Sequence, residues 1–356
     1  MVPALTARRV TSQRPALIDA RAAVRPELGG VERWARELAV RLPALRPGGY
    51  AVIAPPAALV HRAGHAWEQL VLPARARRAR AGALLCPANL APIAARRTVL
   101  VLHDAAALRH PDWYAPAYVA YHRALMPLLA RRAARVITVS QFSRSELEDL
   151  LGLAPEKVAV VAGGVDARFT PDADAAAARA VLRLAGPYVL CVASHTARKN
   201  LTALVPAARA LAAQGIEVVV AGGHRPQFAR ETGLDALRML GSVDDALLPG
   251  LYAGALAFVL PSVYEGFGLP VIEAMASGVP VVAAEVTALP DTAGGAARLA
   301  APQGEPIAAA LLALLGDPGE RERLREAGLA RARRFSWDAT ARGVDAVVSE
   351  VAGWNA

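Results

Sequence analysis

Two short apolar runs, Ala255–Leu260 (A-L-A-F-V-L) and Val279–Ala284 (V-P-V-V-A-A), bracket a glycine loop and a helix-forming stretch, and that succession leaves few folds open. A run without a polar face is expected of a strand buried on both sides, as in a parallel sheet. Between the runs, Pro270 suits a first helical position and Gly278 a C-cap, so Val271 to Ser277 is expected to form a helix of about two turns. The unit is strand, glycine loop, helix, strand.

In open α/β sheets, ligands bind outside the carboxyl ends of the strands, where a helix N-terminus offers unpaired N–H groups and a positive dipole end. That geometry suits a phosphate. Two carboxylates, Glu265 in the loop and Glu273 one turn into the helix, would repel a phosphate but accept hydrogen bonds from neutral hydroxyls beside it. A ligand with both phosphate and polyol groups satisfies both demands, and nucleotide sugars are such ligands. Glu265 is then expected on sugar hydroxyls and Glu273 on the ribose. The competing reading, two solvated surface charges, fits poorly with the apolar neighbours Val271, Ile272, Ala274 and Met275.

The unbroken segment Glu265–Pro280, E-G-F-G-L-P then V-I then E-A-M-A-S-G-V-P, resembles the donor-binding signature of family-four glycosyltransferases, with its E-x7-E spacing. The resemblance implies a retaining enzyme of the α/β GT-B fold, with two Rossmann-like domains facing each other across a cleft. Residues 1–168 would form the acceptor-binding domain and 169–336 the nucleotide-sugar domain, with a last helix, 337–356, crossing back onto the first. It also implies donor contacts from Glu265, Gly266, Phe267, Gly268, Leu269 and Glu273.

Length and composition agree with that. A chain of 356 residues is comfortable as two domains, and 54% hydrophobic with 20% charged residues describes a globular chain rather than a disordered one. No uninterrupted apolar run reaches transmembrane length, and Met1 to Arg14 lack a signal-peptide apolar core, so the cytoplasm is the expected compartment. Cys86 and Cys191 show no metal-ligand or redox spacing and are expected in buried strands. The net charge of +9, with arginines at 75, 77, 78, 80, 131 and 132, fits a solvated basic face or peripheral attachment to the anionic inner face of the plasma membrane. No nucleic-acid module is visible, and no nucleic-acid partner is expected.

Along the chain, Leu17–Ala20 reads as a first strand. Gly29-Gly30 opens a periodic segment in which Val31, Trp34, Ala35, Leu38 and Leu42 share one helical face, leaving Glu32, Arg33, Arg36 and Glu37 largely outside it. A glycine pair there admits close backbone approach to a ligand, and the resemblance sets Gly29 and Gly30 against the donor phosphates and sugar. The apolar run from Thr98 ends in His103-Asp104 at a strand's carboxyl end. His103 can face a cleft there or be a satisfied structural group; the resemblance puts both residues near the transferred sugar and the acceptor. Trp113, Tyr114, Tyr118 and Tyr121 with His110 and His122 read as an acceptor wall or as an aromatic helix face packed into the domain.

After a strand over Arg135–Ser140, Ser143 and Glu146 match a capping box opening a helix that ends at Gly152. Lys157–Val161 is another strand, followed by Gly163-Gly164-Val165-Asp166, where relatives commonly carry Asn at the first position. Strand Tyr188–Ala193 runs into S-H-T-A-R-K-N, whose Arg198 and Lys199 are placed to neutralise a diphosphate. The resemblance gives the Lys of R-K-N to the donor phosphate. The family's upstream arginine is replaced by His195 and its neighbours, which leaves Arg198 as the candidate for its work. Strand Glu217–Ala221 precedes Gly241-Ser242-Val243, where the resemblance puts the nucleotide base against the backbone of Gly241 and Val243. Ser336 is expected to cap the last helix, with Trp337 packing.

These readings combine into one expectation: transfer of a hexose or deoxyhexose from a nucleotide-diphosphate sugar to a hydroxyl of a glycan, lipid-linked or small-molecule acceptor, with retention and without cofactor or metal. His103, Arg198, Lys199 and Glu265 form the expected catalytic set. A non-catalytic nucleotide-sugar sensor or scaffold, a GT-B epimerase and a phosphorylase are the alternatives.

Overall fold

The computed structural model describes residues 14–25, 29–60, 64–223 and 232–354. The first 13 residues, on which the expectation of no signal peptide rested, lie outside these. Among the described residues two six-stranded sheets form, each wholly parallel. The first holds β1 (Ala16–Asp19), β2 (Tyr50–Ile53), β3 (Leu84–Cys86), β4 (Thr98–Val101), β5 (Arg135–Thr138) and β6 (Val158–Val160), in the order β2-β1-β3-β4-β5-β6. The second holds β7 (Tyr188–Val192), β8 (Glu217–Ala221), β9 (Arg238–Gly241), β10 (Ala257–Leu260), β11 (Val281–Ala284) and β12 (Arg298–Ala300), in the order β12-β11-β10-β7-β8-β9.

Both orders reverse direction once, between β1 and β3 and between β7 and β10. A crevice opens at such switch points because successive connections leave for opposite faces of the sheet. The loops after β7 and β10 are therefore neighbours, although more than sixty positions separate them. The strands are buried because their runs are apolar on both faces: every residue of β1, β4, β10 and β11 is buried, and Cys86 and Cys191 lie buried within that core. The expected strands each lose a residue or more at their ends, except Glu217–Ala221, which matches.

Three local expectations need correction. The helix between β10 and β11 spans Leu269–Ala276, with Gly268 as its N-cap and Ser277 as its C-cap. Gly278, at φ +69°, follows as the left-handed residue past that cap. The Gln141–Leu151 helix is capped by Ser140, whose Oγ accepts from the Ser143 amide at 3.0 Å; Ser143 is one turn inside and buried. In the Gly30–Leu45 helix, Glu32 and Arg33 are buried while Val31 is only half-buried. Glu32 turns back to accept the Gly29 amide at 3.0 Å, closing the helix's own first turn.

The Trp337–Ala352 helix, capped by Ser336, packs on the Gly30–Leu45 helix and on β4 and β5. Trp337 is 1% exposed and meets Trp34 edge to face at 6.1 Å. Truncating a buried indole of this kind costs about 3–5 kcal/mol. Asp345 adds a polar anchor, receiving Arg46 at 2.8 Å and the Tyr50 hydroxyl at 2.7 Å.

Candidate functional site

The loop after β7 is held open by Asn200. Its φ of +53° is left-handed, a conformation asparagine tolerates better than most residues. Its side-chain amide donates to the carbonyls of Pro261 (3.0 Å) and Pro302 (2.7 Å), tying the R-K-N loop to the ends of β10 and β12. Val263 donates its amide to the Arg198 carbonyl at 3.0 Å, a second tie between the same loops. Lys199 and Glu265 are thereby brought together as a buried ion pair, their side chains 9% and 7% exposed.

Arg198 lies beside them. Its Nη1 is 3.8 Å from Glu265 and 3.3 Å from Asp104, which stands on the opposite loop after β4. Two cations and two carboxylates balance across the seam. Burial pushes the Glu265 carboxyl up, but Lys199 and Arg198 outweigh it and hold it below the ordinary value. Burial lowers Lys199, and Glu265 restores only part of the loss. Arg198 is raised, burial opposing and Glu265 with Asp104 prevailing.

The E-G-F-G loop packs directly on the first half of the molecule. A Cβ on Gly266 would sit 2.4 Å from the His103 carbonyl oxygen, so only glycine fits. The Gly266 carbonyl accepts from Ser140 Oγ at 2.6 Å and from Ser143 Oγ at 3.1 Å. Gly268, at φ +96°, starts the helix, and a Cβ there would meet Leu289 at 2.7 Å. Phe267 is buried, its carbonyl accepting from Thr292 Oγ1 at 2.5 Å. Leu269 reaches across to Gly30 and Gly163: added Cβ atoms at those glycines would lie 3.5 and 3.0 Å from its methyls. Trp34 Nε1 would also be 3.0 Å from a Cβ at Gly163, so a side chain there would need these neighbours to give way.

His103 is 8% exposed. Its Nε2 lies 2.8 Å from the Pro87 carbonyl, which can only accept, so the proton is assigned to Nε2 and Nδ1 is left as an acceptor. Trp34 meets the ring edge to face at 5.3 Å. Burial lowers the imidazole pKa, with the Pro87 bond opposing, and keeps the ring neutral.

Glu273 closes the other end. It is 6% exposed, accepts the Tyr252 hydroxyl at 3.0 Å and lies 3.5 Å from Arg33 Nε. Arg33 also pairs with Asp245 at 2.5 Å, and Asp245 is shared with Arg168. Arg33, Arg168, Asp245, Tyr252, Ser140 and Ser143 went unnoticed as site residues in the sequence. One signal was available for Arg33: a cation in a helix's first turn opposes the dipole and needs a partner elsewhere. Gly29 and Gly30 start the Gly30–Leu45 helix beside this cluster, while Gly241 ends β9, its carbonyl accepting from Gly222 at 2.8 Å. Val243 follows, half-buried, two residues before Asp245.

The aromatic residues after β4 form a stacked row: Tyr114 on Tyr118 at 5.2 Å, and Tyr118 on His122 at 3.9 Å. His122 is buried and the three tyrosines Tyr114, Tyr118 and Tyr121 are half-buried, so the row is both packed and partly open.

Comparison with known proteins gives this geometry a family. A model described as "Glycosyl transferases group 1" matches residues 186–317, and one described as "Glycosyltransferase Family 4" matches residues 28–169. The chain is 33% identical over 256 residues to O-antigen chain mannosyltransferase B of Escherichia coli, covering 68% of this chain and 67% of that one. It is 32% identical over 226 residues to the MMP alpha-(1->4)-mannosyltransferase of Mycolicibacterium hassiacum, covering 62% of this chain and 54% of that protein. It is also similar to D-inositol 3-phosphate glycosyltransferase of Salinispora arenicola, at 34% identity over 61% of this chain and 55% of the relative. The alignments thus span from about half to two thirds of these relatives' lengths. In fold, it superposes on sucrose-phosphate synthase from Thermosynechococcus elongatus with a TM-score of 0.74 at 20% identity, covering 96% of this chain and all of that one. Anabaena HepE in complex with UDP and glucose gives 0.70 at 18%, covering 95% and 99%. With its two parallel-sheet halves in the GT-B arrangement, the chain belongs to the group 1 glycosyltransferases of family 4.

Proposed function

We propose that this glycosyltransferase moves a hexose, mannose foremost, from a nucleotide-diphosphate sugar to an acceptor hydroxyl, with retention at the anomeric carbon and without a metal. The observation that carries the reading is the balanced group formed by Arg198, Lys199 and Glu265 at the paired switch-point loops after β7 and β10 and by Asp104, which faces them from the loop after β4. As the anomeric C–O bond breaks, its electron pair leaves on the diphosphate, and preorganised cations there lower the barrier. Arg198, Lys199 and the amides at the start of the Leu269–Ala276 helix are the groups to do this. The acceptor oxygen bonds to the same face, and its proton passes to the departing phosphate oxygen. Glu265 is engaged by two cations, which suits it to positioning rather than nucleophilic attack. Mannose is favoured by the names of two relatives.

The reading includes peripheral contact with an anionic bilayer. No helix among the described residues is long and apolar enough to cross a membrane. The Gly64–Arg78 helix, however, leaves Leu70 75% exposed and Val71 37% exposed, next to the exposed Arg75, Arg77, Arg78 and Arg80.

The test is turnover. GDP-mannose, UDP-glucose and dTDP-rhamnose are incubated with the protein, with and without mannosyl oligosaccharides and lipid-linked acceptors, and nucleoside diphosphate release is measured. The product's anomeric configuration is read by NMR. Donors that bind but never turn over with any acceptor would favour a nucleotide-sugar sensor instead.

A further inference from the structure

Arg33, on the Gly30–Leu45 helix, reaches the carboxylates of Asp245 and Glu273 in the second half of the molecule. Its Nη2 is fixed by Asp245 at 2.5 Å, its Cζ lies 5.9 Å from the centre of the Phe169 ring, and its Nε faces Glu273 Oε1 at 3.5 Å. The guanidinium is planar, so fixing one Nη and stacking one face determines where Nε points. Asp245 is itself anchored: Arg168 pairs with its carboxylate and donates Nη1 to its carbonyl at 2.8 Å. The remaining oxygen of Glu273, Oε2, accepts the Tyr252 hydroxyl at 3.0 Å.

We infer that Arg33 is a positioning residue for the donor: from the opposite half of the molecule it holds the Glu273 carboxylate ionised and oriented toward the ribose hydroxyls of the nucleotide. This rests on the donor reading above. An ionised carboxylate accepts on both oxygens, whereas a protonated one loses part of that capacity and cannot grip a vicinal diol as well. Glu273 is buried, so its charge depends on its neighbours. Burial pushes its pKa up; Arg33 opposes most strongly, then the Tyr252 hydrogen bond; Asp245 pushes it up again and Arg168 opposes from farther off. Among the described residues, these four are the charged and titratable groups that act on it most strongly, from the Gly30–Leu45 helix, the segment after β6, the segment after β9 and the Leu248–Ala253 helix. Because Arg33 comes from the first half, a competent Glu273 exists only when the seam is closed.

The experiment is calorimetric titration of the full chain with GDP, UDP, ADP and dTDP. The tightest ligand then serves as the probe between pH 8.5 and 5.5 on wild type, Arg33→Lys, Arg33→Met, Glu273→Gln and the Arg33→Met/Glu273→Gln double variant. Thermal unfolding confirms that each is folded. In Arg33→Met the carboxyl rises further, so affinity falls by about tenfold per pH unit over a range where wild type and Arg33→Lys still bind. The double variant binds weakly and is flat with pH. Weakening of Arg33→Met by one constant factor at every pH, or a profile superimposable on wild type, would overturn the assignment. Failure of all four diphosphates to bind wild type removes the donor reading and this inference with it. Weakening by Glu273→Gln without a pH-dependent effect of Arg33→Met leaves the donor reading standing and removes the inference alone.

Discussion

Replacing Lys199 by alanine removes one member of a buried ion pair and tests whether that pair serves chemistry or only folding. Glu265, 7% exposed with Lys199 in place, has a second cation in Arg198 at 3.8 Å. At an effective dielectric of about 20 that remaining contact is worth about 4 kcal/mol, so Glu265 is not left bare. The loss of stability then falls at the low end of the range for breaking a buried pair, about 3 kcal/mol. The expected loss in turnover, if Lys199 meets charge developing on the diphosphate, is about 10²–10³ in kcat. Stability and activity can be separated with a second variant. Lys199→Met with Glu265→Gln removes both charges while keeping the volume, and such double replacements are often close to neutral in stability. Thermal unfolding of the double variant is expected to recover most of the loss seen in Lys199→Ala, while nucleoside diphosphate release stays at least a hundredfold below wild type. If turnover returns with stability, to within tenfold of wild type, Lys199 is a structural residue and the proposed diphosphate site is wrong.

Gly266→Ala sets a methyl group 2.4 Å from the His103 carbonyl and breaks the contacts of the Gly266 carbonyl with Ser140 and Ser143; the two halves should part, raising the radius of gyration in X-ray scattering and lowering kcat/KM by at least tenfold, whereas an unchanged profile would show that this contact does not hold the seam. His103 has its pKa lowered by burial, so the unfolded chain takes up that proton first. Its stabilising contribution is therefore present above the unfolded value of about 6.5 and lost as pH falls below it; His103→Asn should flatten the fall in melting temperature between pH 7 and pH 5. Sedimentation with vesicles of phosphatidylglycerol should retain the wild-type chain at low salt and release it at high salt, while Leu70→Glu with Arg77→Glu and Arg78→Glu should abolish retention without changing turnover of a soluble acceptor.

What could be read in the sequence was whatever one element carries by itself. The apolar runs flanking the E-G-F-G loop announce strands buried on both faces, and Pro270 with Gly278 sets the helix between them to within two residues. Gly266 and Gly268 are glycines for steric reasons that only the folded chain displays: one lies under a carbonyl of the other half, the other sits at positive φ against Leu289. Arg33 was out of reach for the same reason. Helical periodicity ranks a residue against its own helix, and there Arg33 flanks the apolar stripe; its partners Asp245 and Glu273 come from beyond position 240. The cap at Ser140 illustrates a nearer failure. Ser143 had the capping-box spacing in its favour, but it lies one turn inside the helix, where its amide donates to Ser140 Oγ and its hydroxyl, like that of Ser140, donates to the Gly266 carbonyl of the other half.

The net charge of +9 looks at first like an advertisement for an anionic donor, but the seam does not hold it. Arg198 and Lys199 are matched there by Glu265 and Asp104, and Arg33 and Arg168 by Asp245 and Glu273. The excess cations lie on the outside, at the exposed Arg75, Arg77, Arg78, Arg80, Arg131 and Arg132. A balanced, buried site cannot draw in a diphosphate by field alone; it must exchange partners, with phosphate oxygens replacing carboxylates on cations whose positions are already fixed. The contact of Asp104 with Arg198, at 3.3 Å, is more exposed than the Lys199–Glu265 pair and the first to yield. Donor binding at the seam should therefore depend little on ionic strength, because short-range contacts inside a low-dielectric cleft are poorly screened, while attachment through the outer arginines should depend on it steeply.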